Sequence, residues 1–210
     1  MTVSETRLRA DAQRNRDQIV AAAREVFAAL GPDVPMEEIA RAAGVGVGTL
    51  YRRFPDREAL ILAVARESFA QVLAAARAAL AEEPTAWDAL LRLVGRTHPL
   101  QASVQLALVS ERAREALKDD PETGQFRDAL LVELDRIVRA GQDEGTVRGD
   151  IGSGDVALLF SLVLRQPPVL HDPALYAFER ATALMLDGLR ARPATPLPGR
   201  PITGEDIRIR

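Results

Sequence analysis

Residues 36–54, MEEIARAAGVGVGTLYRRF, set two short apolar-striped segments on either side of a glycine, and this arrangement constrains the chain more than any other. In the first segment Met36, Ile39, Ala40 and Ala43 fall on one side at helical spacing; in the second, Val47, Leu50, Tyr51 and Phe54 do. Two short helices that cross steeply need a small residue where they touch, a glycine in the turn and an apolar anchor in the second helix. Ala40, Gly44 and Leu50 supply these, and Ile39, Val45 and Phe54 fill the space around them. The pattern reads as a helix-turn-helix.

Gly44, Gly46 and Gly48 invite a second reading, a loop that cradles the phosphates of a nucleotide. A dinucleotide fingerprint is G-x-G-x-x-G directly after a buried strand, whereas these glycines are spaced G-x-G-x-G and follow an amphipathic helix. A P-loop needs a lysine after its last glycine to reach the β- and γ-phosphates, and the only lysine, Lys118, is far downstream. Context excludes both nucleotide readings.

The rest of the chain is helical by periodicity, with no strand-like alternation and no internal repeat. Ile19, Ala23, Val26, Phe27 and Leu30 form a stripe that ends at Gly31-Pro32. Before it lies a polar start carrying Arg7, Arg9, Arg14 and Arg16, read as a solvated arm or an arm that touches DNA. A long helix runs from Asp56 to about Leu80, and further helices are expected over 85–96, 100–118, 122–143, 154–165 and 173–191. Ser153 is the expected N-cap of the helix after the glycine-rich stretch GTVRGDIGSGD. The expected fold is all-α, about nine helices, divided into residues 1–57 (arm and helix-turn-helix), 58–191 (a larger helical domain) and 192–210 (a proline-rich flexible tail).

Charge narrows the function. The net charge of −3 argues against a protein that coats nucleic acid or membrane indiscriminately, so any such contact must be a local patch. Residues 41–57 hold four arginines against one acid, Asp56, a local +3. Thr49, Arg52 and Arg53 lie outside the apolar side of the second helix, Gly48 leaves backbone bare beside them, and Arg57 opens the next helix. Two packed helices without a DNA role need no such exterior.

Absences exclude other chemistry. There is no cysteine, and His98 and His171 are too far apart in sequence for a metal-ligand motif, so no metal is expected. The RGDIGSGD stretch lacks the closing glutamate of a calcium loop. Nothing in the sequence suggests an activated nucleophile or hydrolysis, so no enzyme and no cofactor are expected. The longest apolar run, VALLFSLVL, is nine residues where a membrane span needs about 20, and the polar amino terminus lacks a signal-peptide core; a soluble cytoplasmic protein is the expectation.

The stretches IVAAAREVFAALG and MEEIARAAGVGVGTLYRRFPDREAL, with the long helix behind them, resemble the amino-terminal domain of the tetracycline-repressor (TetR) family over roughly residues 15–70. The resemblance implies an all-helical homodimer that binds double-stranded DNA at a palindromic operator and leaves it when a small-molecule inducer binds. It implies phosphate contacts by Thr49, Tyr51 and Arg57, and base-facing positions at Val47, Gly48, Arg52 and Arg53. Gly46 stands where the family commonly has a capping serine, and the GPDVP loop is one residue shorter than the commonest form. The family architecture further implies a ligand cavity, for which Phe69, Trp87, Leu91, Val94, His98, Gln105, Leu106 and Phe126 are the candidate walls. The last two helices match the dimerising pair in order, with Leu158, Leu162, Leu175, Phe178, Met185 and Leu189 as candidate interface residues. The competing reading is a ligand- or protein-binding module of the same fold that no longer binds DNA; the arginine cluster argues against it.

Overall fold

The computed structural model describes residues 3–97, 100, 103–104, 110–164, 172–192 and 195–207; of these, the side chains of residues 3–10, 112 and 172–178 lie outside the description. Among the described residues there are nine helices: α1 (Val3–Leu30), α2 (Met36–Ala42), α3 (Val47–Arg53), α4 (Arg57–Glu82), α5 (Ala86–Gly95), α6 (Glu111–Asp119), α7 (Pro121–Asp143), α8 (Ser153–Leu164) and α9 (Asp172–Leu189). They contain no strand, only an isolated bridge between Val147 and Arg190.

Local chemistry sets most of the boundaries. Gly31 closes α1 with a positive φ of 85°, its amide on the Phe27 carbonyl. Asp56 caps α4 by accepting from the Ala59 amide, Thr85 caps α5 through Asp88, and Asp120 caps α7 through Thr123, with Pro121 in the first turn. The helix expected over 100–118 is interrupted at Ser110, which is extended and caps α6 through the Ala113 amide. The arginine-rich start, expected as an arm, is instead the first part of α1.

Two apolar cores form. The first gathers Ile19, Val20, Ala23 and Phe27 of α1, Ile39 and Ala40 of α2, Leu50 of α3, and Leu60, Ile61, Ala63 and Val64 of α4, with Ala113 of α6 added from the far side. The sequence-based division at residue 57 therefore falls short of this core, because the start of α4 belongs to it. The second core joins the rest of α4 to α5, α7, α8 and the end of α9 through Val72, Ala76, Trp87, Leu90, Ile137, Val156 and Leu189. α4 spans about 39 Å and runs through both. It is long and apolar enough to cross a bilayer, but half of its most apolar window is buried within the protein.

The carboxyl-terminal segment, expected to be a flexible tail, lies against the body. The Ile202 carbonyl accepts from the Gly154 and Asp155 amides at the start of α8 (2.8 and 3.2 Å), and Asp155 accepts from the Ile202 amide in return (2.9 Å). Ser153, expected as a cap, sits inside the first turn and donates to Asp135; the Asp155 carboxylate takes the Gly152 amide instead.

Candidate nucleic-acid interface

The turn between α2 and α3 is held by backbone. Gly44, at φ +66°, donates to the Arg41 carbonyl, and the Val45 amide reaches back to Ala40 (3.0 Å). A side chain at that φ is strained, so the glycine is a requirement of the turn. Met36, Ile39 and Ala40 then face inward from α2, and Leu50 from α3, while Ala43 and Val45 pack against the same core from its edge. Phe54 ends α3, buried, with the Arg16 guanidinium over its ring at 5.8 Å.

The residues that face away from this core follow from helix geometry. At 100° per residue, Gly48 and Arg52 stand about 160° from Leu50, nearly opposite the buried side; Thr49 and Tyr51 stand about 100° to either side; Val47 and Arg53 stand about 60° away, at the edges. Exposure agrees: Leu50 is fully buried, Tyr51 is 43% exposed, Val47 is 37% exposed, and Gly48, Arg52 and Arg53 are exposed. Val47 is therefore at the rim of the face. An added Cβ at Gly48 would meet nothing within 4 Å, so packing does not demand a glycine there.

Hydrogen bonds sort the four arginines. Arg41 donates to Glu38 (2.6 Å), which neutralises it locally. Arg57, expected on a phosphate, donates from Nη1 to the carbonyls of Pro32 and Val34 (2.5 Å each). It ties the α1–α2 loop to the start of α4, a structural role beside the phosphate contact expected from the sequence. Arg52 donates from Nη2 to Thr49 Oγ1 (3.1 Å), which leaves the hydroxyl hydrogen of Thr49 free to donate outward. Arg53 has no ion pair or side-chain hydrogen bond among the described residues. The local +3 thus resolves into two outward guanidinium groups, Arg52 and Arg53. α3 starts without a side-chain cap: Gly46 is the N-cap, extended, with nothing closer than Thr49 Oγ1 at 4.0 Å to its missing Cβ.

The other candidate sites fare differently. Of the cavity set, the side chains of His98, Gln105 and Leu106 lie outside the described residues. Phe69 and Val94 pack against the second core, and Phe126 is half-buried. Leu91 faces solvent because the Thr85 cap phases α5 so that Trp87, Leu90 and Leu93 point inward. Trp87 is 6% exposed, with the Arg190 guanidinium over its ring at 4.3 Å. Its indole N–H is buried and meets no acceptor among the described residues. Two clefts, of about 350 and about 450 Å³, lie instead between α7 and the carboxyl-terminal segment and beside Arg148; neither contains a residue of the cavity set.

Of the dimer set, Leu158 and Leu162 are exposed on α8, with Leu159 between them, and the side chains of Leu175 and Phe178 are outside the described residues. Leu189 is buried at 2% exposure and Met185 packs on the same core, so these two face their own chain. The outward residue of α9 is Leu184, 70% exposed, with Ala181 and Gly188 one turn to either side. Of the residues expected at the α9 interface, Met185 and Leu189 are thus taken up by the chain's own core.

Comparison with known proteins agrees with this geometry. The model of "Bacterial regulatory proteins, tetR family" matches residues 19–64, and that of "Transcriptional regulator SbtR-like, C-terminal domain" matches residues 85–191. A TetR transcriptional regulator from Streptomyces coelicolor superposes with a TM-score of 0.66 at 34% identity, covering 83% of this chain and 98% of that one. The TetR regulator from Mycobacterium vanbaalenii gives 0.62 at 34% identity, covering 87% and 99%. The HTH-type transcriptional regulator UidR of Escherichia coli is 27% identical over 150 residues, 70% of this chain and 76% of that protein.

Proposed function

Since the chain belongs to the TetR family of bacterial transcriptional regulators, with a DNA-binding helix-turn-helix, we propose that α3 enters the major groove and that Arg52 is its base-reading side chain. The observation that carries this is the line of Gly48 and Arg52 opposite buried Leu50, flanked by Thr49 and Tyr51. Bare backbone at Gly48 lets the helix approach the floor of the groove, where a guanidinium pairs bidentately with guanine O6 and N7. Thr49 and Tyr51 flank this line and donate to phosphates, and Thr49 also orients Arg52. Arg53, at the edge of the face, is a phosphate contact, as is typical of a residue that positions without reading sequence.

The protein acts as a homodimer in the cytoplasm, and an unidentified small molecule releases it from a palindromic operator that it represses. Exposed Leu158, Leu159 and Leu162 on α8 and exposed Leu184 on α9 support the dimer, because large apolar side chains left on the last two helices favour a symmetry mate. The separate second core and the unpaired Trp87 indole support a ligand site apart from the DNA-binding face. Selection of bound sequences from a random duplex pool tests the whole reading. A palindrome with guanine in each half-site and half-sites about 34 Å apart, or a multiple of that, is expected; recovery of no sequence at low salt would defeat it.

A further inference from the structure

Gly152 and Gly154 are explained by the carboxyl-terminal segment. A Cβ on Gly154 would lie 2.4 Å from the Thr203 carbonyl oxygen, and one on Gly152 would lie 2.3 Å from that of Ile202; both obstacles are backbone. Gly154 is in the first turn of α8 with no positive φ, where alanine is otherwise the better residue. Glycine is kept here because another stretch of chain lies on it. That stretch in turn supplies what α8 lacks, an acceptor for the orphan amides of its first turn.

Residues 195–207 are built for this contact. Arg200 grips Asp206 through both guanidinium nitrogens (2.8 and 2.6 Å), and Thr203 donates to Asp206 from its amide and its hydroxyl (both 2.8 Å), which closes 200–206 into a turn. Asp150 accepts from the Leu197 amide (3.2 Å), and Arg148, itself paired with Asp150, donates to the Thr195 carbonyl (3.1 Å). Gly204 rests on Leu131 of α7 and near Ser153. The segment therefore joins the end of α9, the start of α8 and α7.

We propose that residues 195–207 form a strap that fixes the first turn of α8 and so sets the exposed leucine face of α8 for subunit pairing. α8 carries Leu158, Leu159 and Leu162 within three turns of the strapped amides, and without the strap its amino-terminal end keeps the Ser153–Asp135 and Gly152–Asp155 hydrogen bonds but no acceptor for the Gly154 and Asp155 amides. Release of the strap frees the first turn and disorganises that face. The pairing half of this proposal rests on the dimer reading above; the docking half does not.

Two full-length variants test it. Gly154→Ala collides with the strap, whereas Asp206→Ala opens the strap's own turn on the surface without touching α8. Amide hydrogen exchange at Gly154, Asp155 and Ile202, and the dimer dissociation constant by sedimentation, are read for both. The expected result is exchange at least tenfold faster at these amides in both variants and a dissociation constant raised several-fold, with far-UV helix content kept. Unchanged exchange at Gly154 and Asp155 in Asp206→Ala, or strap amides that exchange in the wild type as fast as in a free peptide, overturns the docking. Faster exchange with an unchanged dissociation constant overturns the link to pairing. A wild-type chain that sediments as a monomer refutes the dimer reading and with it the pairing half, and the exchange result then decides the docking alone.

Discussion

Arg66 on α4 and Asp120 at the α6–α7 junction are joined by two guanidinium–carboxylate hydrogen bonds, one from Nε at 2.9 Å and one from Nη2. Asp120 is buried and also caps α7, accepting from the amide and hydroxyl of Thr123 (2.8 and 2.6 Å). α6, which carries Ala113 into the first core, is thereby anchored to α4 at its far end. Arg66 holds the Asp120 carboxyl at about 2 against an ordinary 3.8, with Thr123 helping and burial opposing. A carboxyl depressed by folding adds stability that is present above pH 4 and is lost as the pH falls from about 4 to about 2. Asp120→Ala is expected to cost about 2–3 kcal/mol at neutral pH, combining a lost cap and a charged hydrogen bond moderated by the partial exposure of Arg66. Urea midpoints of wild type and variant should differ at pH 7 and draw together as the pH falls through about 2.

Arg57 separates a structural tether from a phosphate contact. Arg57→Lys keeps the charge and loses the fork that serves two carbonyls, so stability should fall by about 1–2 kcal/mol. DNA affinity of the uncharged variant Arg57→Met is measured at several salt concentrations alongside: an unchanged slope of log K against log salt fits the tether, and a slope shallower by about 0.9 per half-site fits a phosphate contact.

Gly48→Ala sets stability against function. Alanine is favoured over glycine inside a helix by up to about 1 kcal/mol, and space is open at this position. The melting temperature should rise slightly while DNA affinity drops at least tenfold, because the methyl group stands between α3 and the groove. A variant that binds DNA as the wild type does removes Gly48 from the interface.

Leu184 and Leu189 are five residues apart on α9 and face opposite ways. Leu184→Glu should give a folded monomer in sedimentation, with the helix signal kept. Leu189→Ala should lower stability by about 2–4 kcal/mol through a core cavity and leave the chain dimeric at low temperature. The reverse pattern restores the interface to the side that the sequence reading chose.

What was legible in the sequence was whatever a side-chain pattern encodes. Ala40, Gly44 and Leu50 announce the crossing of α2 and α3, and the stripe through Ile19, Ala23 and Phe27 announces the α1 side of the first core. The Arg57 tether was not legible because a guanidinium suits a carbonyl as well as a phosphate, and only the fold brings Pro32 and Val34 within reach. The phase of α9 was ambiguous because Leu184, Met185, Leu186 and Leu189 wrap around the helix, so periodicity alone could not choose a side. The strap was invisible because its key contacts join the backbone of Ile202 to that of Gly154, and a backbone bond leaves no residue type behind except the glycine that permits it.

The most direct test of the central claim is equilibrium binding of wild type, Arg52→Ala and Arg53→Ala to the selected duplex and to its single-base-pair variants. Loss of Arg52 should erase a preference of about 1–3 kcal/mol at one base pair per half-site, while loss of Arg53 should weaken every duplex alike and flatten the salt slope by about 0.9 per half-site. An Arg52→Ala protein that keeps the full wild-type preference, or a wild type that binds no duplex more tightly as salt is lowered, contradicts the account.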